Sequence, residues 1–106
     1  MSRMPRAAFA TVDDGKIRDY LLNPANPTKF GQFARFGFRP NRWIELSDAL
    51  KRHPPDNRVV HSVQSAHGTK FVIECSLRTP DGRNPCLRSV WIVDQGQRNP
   101  RFVTAY

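Results

Sequence analysis

Acidic side chains are scarce in this 106-residue chain: nine Asp and Glu stand against seventeen Lys and Arg, for a net charge of +8 at neutral pH. So basic a balance disfavours a cationic partner and suits a polyanion or an acidic protein. Histidine and cysteine are few as well. Three scattered His and two Cys, Cys75 and Cys86, form no metal-ligand spacing, so neither a metal nor another cofactor is expected. Two cysteines are no disulfide framework, and both fall in apolar strand-like runs. They are expected as reduced, small, buried hydrophobes. No stretch approaches the roughly 20 apolar residues of a membrane helix. The basic opening Met1-Ser2-Arg3-Met4-Pro5-Arg6 is followed by no long apolar run, which argues against a secretory signal and for a cytoplasmic protein. Internal repeats and low-complexity segments are absent.

What is present suffices for one core: 39% of residues are apolar and 10% aromatic, so residues 1–106 read as a single domain. Arginine dominates the cations, and its planar guanidinium pairs bidentately with phosphate and stacks on bases, where lysine is a point charge. The pattern along the chain changes once. Residues 1–12 have no period and read as an arm or short edge element. Over 13–54 the period is helical. Asp13-Asp14-Gly15 opens a first helix carrying Ile17, Tyr20 and Leu21, and Asn23-Pro24-Ala25-Asn26-Pro27 stops it. Thr28 caps a second, with Phe30, Phe33 and Phe36 on one core-facing stripe and Gly37 as terminator. A third follows Pro40-Asn41 with Trp43, Leu46 and Leu50 inward, and is expected to end at His53-Pro54-Pro55-Asp56-Asn57.

From residue 58 to 106 the period is two. Val59–Ser65, Thr69–Thr79, Cys86–Asp94 and Arg101–Tyr106 read as strands joined by loops short enough for hairpins. The expected fold is α+β: N-terminal helices packed on one face of a four-stranded antiparallel sheet. Alternation sorts the second strand into Lys70, Val72, Glu74, Ser76 and Arg78 on one side, against a core face of Phe71, Ile73, Cys75 and Leu77. In the third strand Arg88 shares a side with Val90 and Ile92. In the last, Phe102, Thr104 and Tyr106 share one side, opposite Arg101, Val103 and Ala105. Arg88 is the exception in an apolar strand: it pairs with Glu74 on the neighbouring strand or faces a wet groove, and both hold if the carboxylate aims the guanidinium at a phosphate. His61 is either an exposed strand histidine or a general base, and His67 sits in the turn before Gly68.

Together Tyr20-Leu21-Leu22-Asn23-Pro24, Gly68-Thr69-Lys70, Thr79-Pro80-Asp81-Gly82, the strand holding Arg88 and Trp91-Ile92, and Pro100-Arg101-Phe102-Val103-Thr104-Ala105-Tyr106 resemble a family of small bacterial domains. These stand alone in toxin–antitoxin-like loci or end polymorphic toxins, and the resemblance spans about residues 16–106. The closing strand is also remotely similar to the last strand of the barnase/EndoU/RelE-like ribonucleases. The resemblance implies a metal-independent endoribonuclease in which the RNA's own 2′-hydroxyl attacks the adjacent phosphate. Under it, Lys70 and Arg88 stabilise the phosphate, Thr104 positions it, Tyr106 stacks or donates a proton, and His61 or His67 is the base. Arg78 and Arg101 contact the RNA backbone, with His67 as a further RNA contact. Two other functions use the same basic surface: a non-catalytic nucleic-acid-binding module, and an antitoxin- or immunity-type protein with an acidic protein partner. An acidic antitoxin is also the partner a toxin would have.

Overall fold

The computed structural model describes residues 2–106. Its helical elements come first: a 3₁₀ turn at Ala7–Phe9, a π-helical segment at Lys16–Leu21, helix α1 at Pro27–Ala34, a 3₁₀ turn at Pro40–Arg42 and helix α2 at Trp43–Asp56. Strands β1 (Arg58–Ser65), β2 (Gly68–Ser76), β3 (Cys86–Asp94) and β4 (Arg101–Ala105) follow. They pair antiparallel in sequence order, as hairpin-length loops require. The fold is α+β, with helices on the N-terminal side of a four-stranded antiparallel sheet.

The first helical segment owes its geometry to three apolar residues. Leu22 N–H bonds the Ile17 carbonyl at 2.8 Å, an i to i+5 closure. That wider turn brings Ile17, Leu21 and Leu22 to one fully buried patch. In α1 the start is set by Pro27 rather than by a Thr28 cap, because proline at the first position loses no hydrogen bond. Phe33 is buried, and Phe30 and Phe36 pack at the margin of the core. Gly37 (φ +98°) turns the chain out of the helix.

Helix α2 ends within the expected His53–Asn57 stretch, but not at its first proline. It runs through Pro54 and Pro55 to Asp56. Proline normally breaks a helix by freeing a carbonyl and clashing with the preceding turn. Here the last turn is tied down instead: Asn57 Nδ2 donates to the carbonyls of His53 and Ser76, each at 3.0 Å. Leu46, Leu50 and Ile17 meet Ile73, Trp91 and Phe102 of the sheet in one core. The Trp91 and Phe102 rings stand edge to face at 5.4 Å.

Two irregularities of register reorder the expected faces. In β1 the pairing steps from Val59↔Ile73 to His61↔Val72, leaving Val60 as an extra residue. In β4 it steps from Trp91↔Phe102 to Val90↔Thr104, leaving Val103 extra. A bulge flips every side chain beyond it. Phe102 and Ala105 therefore both lie in the core, and Arg101, Thr104 and Tyr106 take the other side, which corrects the alternation read from sequence for the last strand.

The cysteines are also corrected. Cys75 and Cys86 are exposed and joined as a disulfide at the end of the β2–β3 ladder. Cys75 has φ +143°, so the strand twists there and its side chain leaves the core face that simple alternation assigned to it.

Candidate nucleic-acid interface

The sheet face turned away from the helices is ordered by the register. Three rows cross the strands: Arg58, Glu74, Arg88 and Tyr106; then His61, Val72, Val90 and Thr104; then Val63, Lys70, Ile92 and Arg101. Tyr106 completes the first row because its amide and carbonyl both bond Arg88, each at 2.9 Å. Lys70, Arg88, Thr104, Tyr106, His61 and Arg101 thus share one face.

The first row holds the tightest cluster. Arg88 Nε donates to Glu74 Oε2 across the β2–β3 ladder. The Glu74 carboxylate first, and the Tyr106 side chain second, hold the Arg88 guanidinium still more firmly protonated than a free arginine. Both Arg88 and Glu74 stay open to solvent, with side chains 52% and 33% exposed, so the pair contributes little to stability. Glu74, Arg88 and Tyr106 line an open cleft of about 320 Å³ that ends on Cys86 and Leu87. Tyr106 is 51% exposed and Thr104 is half-buried one row away. Arg88 therefore meets both expectations for it: it is paired, and it faces water.

The remaining candidates are spread further. Lys70 and Arg101 sit four residues along the strands from Glu74 and Arg88, about 13 Å at the usual rise. They stand outside the Glu74–Arg88–Tyr106 cluster, further along the same face. Arg101 is bidentate to Asp94, at 2.6 and 3.1 Å; the pairing keeps Asp94 below the ordinary carboxylate range and raises Arg101. His61 lies diagonal to Glu74 on β1, two strand spacings across and two residues along from Arg88, about 12 Å between backbones. His67 and Arg78 do not join the face. His67 is in the β1–β2 turn, its carbonyl accepting from Gln95 N–H at 2.9 Å. Arg78 lies past the end of β2 and pairs with Asp56 at the end of α2, at 3.0 Å.

Two chemistry-bearing residues escaped the sequence. Lys29 of α1 reaches the end of β4 and donates to the Ala105 carbonyl at 2.7 Å. His53 is buried, with Nδ1 2.7 Å from Ser89 Oγ and Nε2 2.6 Å from the Cys75 carbonyl. A carbonyl only accepts, so Nε2 carries the proton and Ser89 donates to Nδ1. Trp91 Nε1 donates to the same Ser89 oxygen at 2.7 Å. Burial is the main force pushing the His53 pKa down, against the Cys75 hydrogen bond and Asp56, so the ring is held neutral. Lys29 carried no apolar-strand anomaly to mark it, and His53 looked like part of a helix stop. Among the described residues no three His, Cys, Asp or Glu side chains gather as a metal site.

A family profile described as "Domain of unknown function (DUF6883)" matches residues 3–106. The chain belongs to that family. No curated protein is significantly similar to it. Among solved structures, a chain from the "Contact-dependent growth inhibition toxin - immunity protein complex from Klebsiella pneumoniae 342" has a TM-score of 0.70 and 20% identity, over 90% of this chain and 96% of that chain. At that identity the likeness is one of fold.

Proposed function

We propose that the domain is a toxin-type endoribonuclease that cleaves RNA through attack of the 2′-hydroxyl on the adjacent phosphate. One observation carries this reading: Arg88, Glu74 and Tyr106 form a solvent-open cleft on the uncovered sheet face, with Thr104 beside them. In the reaction the 2′-oxygen forms a bond to phosphorus and the bond to the 5′-oxygen breaks, giving a 2′,3′-cyclic phosphate. Arg88 donates N–H bonds to the non-bridging oxygens as their charge grows, and Thr104 fixes their position. The Tyr106 hydroxyl gives its proton to the leaving 5′-oxygen. The face offers two acceptors for the 2′-proton: Glu74, in contact with Arg88, and His61, diagonal to Glu74. Lys70 and Arg101 hold phosphates further along the strand rather than the scissile one. The structural neighbour comes from a complex of a growth-inhibition toxin with its immunity protein, which supports a place in a toxin system, and the basic charge of this chain suits an acidic protein as inhibitor.

The test is incubation of purified protein with total RNA in excess EDTA, resolved on a gel. Cleavage that persists in EDTA and falls about 10²-fold or more in Arg88→Ala, with a smaller loss in Thr104→Ala, is the expected result. Glu74→Gln against His61→Ala then identifies the base. Intact RNA with a salt-sensitive gel shift would leave a binding module, and intact RNA without a shift would turn attention to an acidic protein partner.

A further inference from the structure

Lys29 is the one site residue that comes from the helical half of the chain, and its surroundings are unusual for a lysine. The side chain is half-buried, yet it enters no ion pair among the described residues. Its partners are neutral: the Ala105 carbonyl at 2.7 Å, and the rings of Tyr20 and Tyr106, whose centroids lie 5.8 and 5.9 Å from Nζ. A partly desolvated ammonium with no carboxylate beside it favours an anion brought from outside.

Strand geometry fixes where that anion would sit. Tyr106 exchanges both backbone bonds with Arg88, so the neighbouring residue, Ala105, turns its carbonyl away from β3 toward the outer edge of β4. Lys29 bonds that carbonyl. The ammonium therefore stands on the outer side of the strand end, and Arg88 on the inner side, with Tyr106 between them. Arg88 is already shared with Glu74, whereas Lys29 has its full charge to give.

We propose that Lys29 is a second phosphate-binding cation of this site, holding a backbone phosphate of single-stranded RNA whose base stacks on the exposed Tyr106 ring. Stacking on one exposed ring at a strand end requires an unpaired base, which a duplex does not present. The proposal rests on the RNA reading above but not on catalysis.

It is tested with a fluorescein-labelled 2′-O-methyl hexanucleotide, which keeps its phosphates and cannot be cleaved, titrated by anisotropy over a series of salt concentrations. Lys29→Met should weaken binding about tenfold and reduce the salt slope by about one phosphate contact, while Lys29→Arg keeps both. Lys51→Met, on the exposed outer face of α2, should leave the slope unchanged. The same hexamer annealed to its complement should bind more weakly than the single strand. Thermal melts show that each variant is folded. A folded Lys29→Met with wild-type affinity and slope overturns the proposal, as does equal binding of duplex and single strand. Lys29-dependent binding without cleavage of ordinary RNA would uphold it while sinking the nuclease reading; cleavage with affinity indifferent to Lys29 would do the reverse.

Discussion

Ser89→Ala removes one oxygen and orphans two buried groups. In the folded protein the hydroxyl accepts from Trp91 Nε1 and donates to His53 Nδ1, both at 2.7 Å, and all three residues are at most 1% exposed. No water can replace the lost partner without a cavity, and the variant opens only the space of one hydroxyl. A buried donor or acceptor left unpaired costs about 1–3 kcal/mol, so with two such groups the variant should lose roughly 2–6 kcal/mol. Domains of this size are stable by only about 5–15 kcal/mol. The loss should lower the melting temperature by about 8 °C or more. Urea unfolding followed by tryptophan fluorescence and far-ultraviolet circular dichroism measures it, with the midpoint falling and the slope unchanged. Ser89→Cys, which keeps a weak donor and acceptor, should recover part of the loss. A Ser89→Ala variant within about 0.5 kcal/mol of wild type would refute the network, because surface-like tolerance is incompatible with two stranded polar groups.

His53 makes the fold acid-sensitive. Its folded pKa lies below the ordinary imidazole value of 6.5 because burial disfavours the charged ring, so the unfolded chain binds the proton more readily. Stability is full above pH 6.5 and declines as the pH falls toward the folded pKa; in His53→Gln that decline should vanish, leaving only the lower limb below 3.8 from Asp81 and Asp94, whose pKa values are depressed. Urea melts from pH 7.5 to 4.5 check it, and a flat wild-type profile over that range would contradict it. Gly68→Ala should be far costlier than Gly82→Ala although both glycines have positive φ: a Cβ on Gly68 meets the Val93 carbonyl oxygen at 2.2 Å, whereas at Gly82 nothing lies within 4 Å. Left-handed backbone alone costs roughly 1–2 kcal/mol, so the excess at Gly68 measures the backbone clash, and equal melting temperatures for the two variants would rule it out.

Periodicity carried most of the fold. Period-two runs bounded by Gly, Pro and Asn placed four strands within a few residues of their observed ends. In β2, β3 and β4 buried residues fix the register, because a one-residue slip would expose them, whereas β1 is exposed along nearly its whole length and is held by pairing with β2. Helix boundaries were harder. The continuation of α2 through Pro54 and Pro55 depends on Asn57 bridging to Ser76, a contact 19 residues away in the chain that local propensity cannot report. The disulfide likewise depends on Cys75 leaving the regular strand conformation, which no neighbouring residue announces. Lys29 and His53 were missed for one shared reason: each acts on an element far away in sequence, Lys29 on Ala105 and His53 on Ser89.

The candidate site was legible in its residue types but not in its assembly, and the two bulges explain why. Strict alternation puts Phe102, Thr104 and Tyr106 on one side of β4, which would either bury the polar pair or strip Phe102 from Trp91. The extra Val103 resolves the conflict: Phe102 stays in edge-to-face contact with Trp91, and Thr104 and Tyr106 emerge beside Val90 and Arg88. Val60 does the same on β1, letting Val59 pack against the core while His61 turns to the open face. An inserted residue leaves no mark in composition, yet it lets one short strand serve the core at one end and the solvent-facing cluster at the other. Both bulges lie between a core residue and a residue of the candidate site. The open face is therefore built by these departures from regular pairing, at the two outer strands, while the regular central ladder of β2 and β3 supplies the fixed Glu74–Arg88 pair around which they are arranged.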